Sequence, residues 1–291
     1  MPTSDRGRGA AGVIHDIGYQ RYTGVRLGRD YAVRSLYVHG VRTVFGLGRG
    51  PKAKIFPWFS ASVLMLFAVI DVAVRAKTGT LPISYLNISR DGVLLVLLFL
   101  ATAAPELVSR DLRNKTLPLY FSRPLERTDY ILAKYAALVT GVFLVLAAPM
   151  LVVFLGGAFS LNGAHAVWRE FTDFLGGLVW AAVVAVVESA VALLIASLLR
   201  RAAVATAVIA GYFLLTTGVG QAIGAIIGSD TGKNIGNMLS PPDLLEGLKK
   251  WAYRIPFTDV AGFGPAYLTV TVLMTAVAVA LLLVRYRRVS V

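Results

Sequence analysis

One carboxylate stands where a carboxylate is expensive. Glu188 lies in Trp180-Ala-Ala-Val-Val-Ala-Val-Val-Glu188-Ser189, an apolar run long enough to be buried all round. At about 1.5 Å per residue it sits roughly 16 Å from the near end of its run. An ionisable group at that depth lines a pathway, attracts a cationic substrate or carries a proton. The plainer alternative is a neutral acid hydrogen-bonded to a neighbouring helix, with Ser189 beside it. A second concentration of polar chemistry lies between Pro105 and Lys134. It contains Glu106, Arg110, Asp111, Arg113, Thr116, Leu117, Arg123 and Pro124. Charges of both signs alternate there with few helix breakers, which predicts a short helix from Glu106 to Lys115 ended by Pro118. Ser122-Arg-Pro reads as a turn, and a further helix starts between Asp129 and Lys134. The predicted short helix lies near the membrane surface with its Arg and Asp side chains projecting into water.

Other chemistries lack their parts. The chain has no cysteine, so thiol catalysis, disulfides and thiolate metal sites are excluded. Its three histidines, His15, His39 and His165, fall in no ligand spacing and give no metal site. Gly228-Ser-Asp-Thr-Gly232-Lys233-Asn234 superficially suggests a phosphate-binding loop. It has one residue too few between the glycines and ends in Asn where Ser or Thr is needed. No stretch of the chain is built to bind ATP.

These groups are carried by a very apolar chain. Of its 291 residues, 56% are hydrophobic and 15% are charged, against about 25% charged in ordinary soluble domains. Six stretches are long and apolar enough to cross a bilayer: 58–76, 92–109, 136–160, 174–199, 202–227 and 265–284. Backbone polar groups must be paired within lipid, and runs of this length without strict alternation make helices, not barrel strands. The expected fold is therefore all-α: a cytosolic N-terminal segment, 1–56, followed by a six-helix transmembrane unit, 57–291. Of the 29 Lys and Arg residues, 21 fall before the first span, between the second and third, between the fourth and fifth, and after the last. By the positive-inside rule these segments, and both termini, face the cytosol. The net charge of +13 then reflects topology and attraction to anionic lipid. It gives no reason to expect nucleic acid as a partner, because no soluble module for base readout is present.

Several local features follow. Residues 1–12 have the composition of a disordered tail. Within 27–46, Val33, Tyr37, Val41 and Val44 share a face, predicting a basic, aromatic helix in the headgroup layer. Asp71 and Arg75, one turn apart, are expected to form a local ion pair. Gly220, Gly224 and Gly228 recur every four residues and predict close helix packing, at a dimer seam or within the subunit. In the external loop 228–264, Ser240 and Asp243 suggest a capped helix starting at Pro241. Leu244, Leu248 and Trp251 form its apolar face, that of a short interfacial helix with a Trp anchor, while Glu246, Lys249 and Lys250 point away.

The run Arg110-Asp-Leu-Arg113, the Lys115-Thr-Leu117 step, Ser122-Arg-Pro124 and Tyr130…Lys134, preceded by Glu106, resemble the cytosolic loop of ABC type-2 permeases. The six-span layout is similar along nearly the whole chain. The resemblance implies a permease without enzymatic activity of its own, working as a dimer with itself or a paralogue in a bacterial inner membrane. It implies that loop 106–134 carries a coupling helix seated on a separate ATPase subunit, which binds the ATP and Mg. It implies an N-terminal connecting helix touching the same ATPase, an outer gate for which Leu244, Leu248 and Trp251 are the candidates, and export as the direction of transport. A membrane scaffold without a pathway, or a secondary transporter, is the alternative.

Overall fold

The computed structural model describes residues 24, 27–79, 83–122, 124–159, 161, 163–255, 260 and 262–288. The tail 1–12, His15 and Arg123 lie outside the described residues. All the regular structure among those described is helical. In chain order it comprises α1 (Arg29–Val44), α2 (Lys52–Thr78), a 3-10 turn (Tyr85–Asn87), α3 (Ile88–Asp91), α4 (Val93–Leu107), α5 (Ser109–Arg113) and α6 (Leu117–Phe121). Then follow α7 (Arg127–Ala158), α8 (Ala164–Leu198), α9 (Ala202–Ile227), α10 (Asp230–Asn237), α11 (Pro241–Ala252) and α12 (Gly264–Arg287).

Six helical stretches are, by length and composition, apolar enough to span a bilayer: Ala53–Thr78, Val93–Arg113 (α4 together with α5), Arg127–Ala158, Ala164–Leu198, Ala202–Ile227 and Gly264–Arg287. The number and type of spans expected from hydropathy are thus present. Most helices run past the apolar windows at one or both ends. Polar residues continue α7 back to Arg127 and α8 back to Ala164, because leaving the hydrocarbon removes a need for apolar side chains, not for helix.

α8 is the central helix. It packs against α7, α4, α12 and α9, and from Val184 to Ser197 most of its circumference is buried. α2 packs on α7 and α4, and α9 on α4 and α10. α2, α9 and α12 keep most of their apolar side chains at the periphery, with Phe67, Leu215 and Val272 among the exposed ones. Exposed apolar residues on spanning helices are what lipid requires.

The array has two distinct ends. One gathers α1, α5, α6, the start of α7 and the C-termini of α8 and α12. The other gathers the 83–92 connector, the start of α8, and α10 and α11. An even number of spans returns the chain to the end from which it started.

Three local expectations are corrected. The helix expected over 106–115 is broken. α4 ends at Leu107, Val108 departs from helical backbone, and α5 starts a new axis. Pro118 does not terminate a helix but occupies the first turn of α6, where its missing N–H costs nothing. The chain reverses between α5 and α6 at Lys115, whose φ of +52° is uncommon for a residue with a side chain. Finally, α1 is not a free surface helix. Leu36, Gly40, Thr43 and Val44 are buried against α7 and α4, and Tyr37 shares a 2.8 Å hydrogen bond with Thr140. Gly40 is needed because a Cβ there would come within 2.7 Å of Ala137. Val33, Tyr37 and Val44 of the predicted stripe lie in this seam, with Leu36, Gly40 and Thr43 beside them.

Candidate coupling face

At the α5–α6 end, the sequence builds a face from two short helices and then ties them down. Ser109 is wholly buried and its hydroxyl donates to the Ala196 carbonyl near the end of α8, at 2.8 Å. Asp111 turns inward, contrary to the expectation that it projects into water. Its Oδ2 lies 3.0 Å from Lys134 Nζ and accepts from the Tyr130 hydroxyl at 2.6 Å, both on α7. Lys134 is 2% exposed, and its ammonium lies 5.8 and 5.4 Å from the ring centres of Tyr120 and Tyr130. A buried ammonium is tolerable only with such partners. Tyr130 also packs on Tyr286 of α12, with ring centres 5.6 Å apart. One carboxylate on α5 is therefore connected to α6, α7 and α12.

Around this anchor lies a charged rim. Glu106, at the end of α4, pairs with Arg49 and, at 3.3 Å, with Arg110. Arg29 at the start of α1 grips both Glu126 and Asp129 at the start of α7, with Nε 2.8 Å from Asp129 Oδ2. These pairs hold their guanidinium above its usual value, the hydrogen bond to Asp129 contributing most. Exposed pairs of this kind add little stability, because water screens them. They fix the angle of α1 against α7. His39, an exposed residue of α1, is held below its usual value first by partial desolvation and then by Lys134, Arg49 and Arg42, with Asp111 opposing. It borders a groove of about 410 Å³ between α1 and the 120–125 segment, with Tyr31, Leu36, Tyr120 and Leu125 among its walls.

The predicted residues separate by environment. Arg110, Arg113 and Pro124 are exposed, and Leu119 of α6 is 70% exposed. Thr116 is half-buried and folds back on Asp111, with its hydroxyl 3.4 Å from the Asp111 carbonyl and from Oδ1. Leu117 is buried within the chain. Glu188 is not part of this end. It is 3% exposed within α8, and its Oε2 and the Ser189 hydroxyl have no hydrogen-bond partner among the described residues.

The remaining candidates lie toward the opposite end. Gly220 and Gly224 of α9 face α10 of the same chain, so that surface is not left for a second copy. A Cβ at Gly224 would come within 3.2 Å of Lys233 Cα. Gly228 ends α9 with φ of +67°. The phosphate-loop look-alike is the start of α10, capped by Ser229. Leu244 and Leu248 are buried, and Trp251 is 36% exposed and lies over Gly264. α11 starts at Pro241 with Ser240 at its N-cap, as expected, but the Ser240 hydroxyl does not bond the helix's N–H groups; it bonds Thr217 at 2.7 Å. Lys249 does not point away either. It is fully buried, 2.6 Å from Glu246 and 2.9 Å from Asn87 Oδ1. Arg75 pairs with Glu170 rather than with Asp71.

Sequence reasoning assigns no role to Ser109, Tyr286 or Arg29, and marks Tyr130 and Lys134 only as part of the family resemblance, without their contacts. Lys134 carries one signal: it falls four residues after Tyr130 and three after Ile131, on the face that packs inward.

No curated protein matched the chain. The family model described as ABC-2 family transporter protein matches residues 59–291. That match covers five spans, most of the first and the α5–α6 segment, and the chain therefore belongs to the ABC-2 family of transporters, as a multi-pass membrane protein of the permease type.

Proposed function

We propose that this chain is the permease subunit of an ATP-driven exporter and that the α5–α6 end is the seat of a separate ATPase subunit. The supporting observation is the division of labour on two short helices: Ser109 and Asp111 are tied inward while Arg110, Arg113 and Leu119 remain exposed. This end carries most of the basic residues, so it faces the cytosol, with both termini. The membrane is the inner membrane of a bacterium. Two copies, or this chain and a paralogue, enclose the path, since one set of six helices offers little room for a sizeable solute. ATP and Mg belong to the ATPase, and this chain performs no catalysis.

Closure of the ATPase pair on nucleotide pushes α5 and α6. The push reaches α7 through Asp111 and Lys134, α12 through Tyr130 and Tyr286, and α8 through Ser109. The helices then shift between inward- and outward-facing arrangements as packed bodies. Glu188 on α8 is the candidate for the path itself.

The test is the double replacement Arg110→Ala/Arg113→Ala. Both side chains are exposed, so membrane insertion and folding are unchanged, within about 0.5 kcal/mol. Co-purification of the ATPase falls, and hydrolysis is uncoupled from export. Unchanged co-purification and coupling remove this face from the proposed role.

A further inference from the structure

The end opposite the coupling face is held by two buried ionic ties that share one short segment. Glu170, at the start of α8, takes two 2.7 Å hydrogen bonds from Arg75 of α2, one to each carboxylate oxygen. Its Oε1 also accepts from the Tyr85 hydroxyl. All three residues are under 10% exposed. Burial beside that carboxylate pushes the Tyr85 phenol far above its usual value, so it stays a donor. Two residues along the same 3-10 turn, Lys249 of α11 donates to Asn87 Oδ1 at 2.9 Å and to the Leu86 carbonyl at 3.3 Å. Glu246 supplies the counter-charge to Lys249 and reaches Arg90 at 3.4 Å. The connector 83–92 is thus bolted to α8 on one side and to α11 on the other. Glycines make the room. A Cβ at Gly157 would collide with the Arg75 guanidinium, and one at Gly177 would lie 2.6 Å from Tyr85 Cβ.

Stability alone is a poor reason for this arrangement. A buried ion pair is commonly no more stabilising than apolar residues of equal volume. Its distinguishing property is that water can replace each partner when the pair separates, whereas parted apolar faces only lose contact. Such a contact suits a closure that must open and close.

Resting on the transporter reading above, we propose that Glu170 and Lys249 are the positioning residues of an outer latch. They clamp the connector 83–92 between α8 and α11, and both ties part when the outer end opens.

The chain has no cysteine, so a single reporter thiol can be placed directly. Ser89, 8% exposed on the connector, is replaced by Cys in the full chain, expressed in cells with its ATPase. A membrane-impermeant maleimide is added outside. Labelling is slow with the latch intact. In Glu170→Gln, and separately in Lys249→Met, it is about tenfold faster or more, the population shift expected on losing a charge-assisted hydrogen bond. Energising wild-type cells accelerates labelling. In Arg75→Met/Glu170→Met labelling stays slow and energising no longer accelerates it. Equal rates in both single variants and the intact latch, or normal acceleration in the Met pair, overturn the proposal. A Ser122→Cys control at the other end reports orientation separately. If it reacts from outside, the cytosolic assignment fails, while the ratio of labelling rates between the Glu170→Gln variant and its parent, read from the reactive side, still decides the latch.

Discussion

Removing Lys134 tests whether Asp111 is an anchor or a partner contact. At 3.0 Å and an effective dielectric constant of about 20, the gross Coulomb energy with Asp111 is roughly 5–6 kcal/mol, before desolvation is subtracted. Breaking a buried pair by deleting one member costs about 3–5 kcal/mol. Asp111 keeps the Tyr130 hydroxyl and has a side chain 16% open to water. Lys134→Met therefore costs less, about 2–3 kcal/mol. Asp111→Asn leaves a fully enclosed ammonium without its counter-charge and costs about 3–5 kcal/mol. In the double variant no charge is stranded, so the two losses do not add, and the cycle returns a coupling energy of about 2 kcal/mol. The cycle is read from unfolding of the purified chain in mixed micelles. Its functional arm uses the Ser89→Cys reporter in cells. With Arg110 and Arg113 intact, the ATPase still binds Lys134→Met chains, but energising them no longer speeds labelling at the far end. Additivity within about 0.3–0.5 kcal/mol, or undiminished acceleration, refutes the transmission route through Asp111.

Two further outcomes are expected. Gly220→Ala drives a methyl into the Gly236 carbonyl and costs about 1–3 kcal/mol by separating α9 from α10, whereas Gly211→Ala and Gly218→Ala, with open space around them, gain about 0.5–1 kcal/mol; thermal midpoints of the three variants distinguish these signs. His39 is held below its usual value in the folded chain, so the unfolded chain takes up the proton first as pH falls. Stability present above about pH 6.5 is then lost on acidification through that value toward the lower folded one, and His39→Gln shows a flatter pH–stability profile than wild type.

Charge placement and hydropathy made the spans legible, because lipid acts on every residue of a span in the same way. α9 coincides with the expected 202–227, and α12 extends the expected 265–284 by a few residues. The ties between helices were less legible, because their partners lie far apart in sequence. Arg75 has a carboxylate one turn away in Asp71, and local spacing favoured it over Glu170, which is 95 residues off. Yet Glu170, Phe174, Gly177 and Ala181 fall at intervals of four, three and four, and all are buried on one stripe of α8. Lys249 follows Leu245 by four residues on the inward face of α11 in the same way. A charge on an apolar stripe was the available signal. In the α4–α6 segment, the break at Val108 has no sequence mark. Beyond it Ser109 bonds the end of α8 and Asp111 pairs with Lys134, partners 87 and 23 residues away in the chain.

The last carbonyls of a helix have no donors of their own. Here α8 and α12 receive donors from other helices. Ser109 serves Ala196, Arg285 serves Ser197 at 2.9 Å, and Arg127 serves Arg287 at 2.8 Å. Two of the three donors are cations, the charge that a helix C-terminus favours. The lengths of these helices are therefore set from outside them. Adding or deleting one residue in α8 swings its terminal carbonyls by about 100°, away from Ser109 and Arg285 together. Indels are accordingly least tolerable in the very helices whose hydrophobic stretches look most permissive.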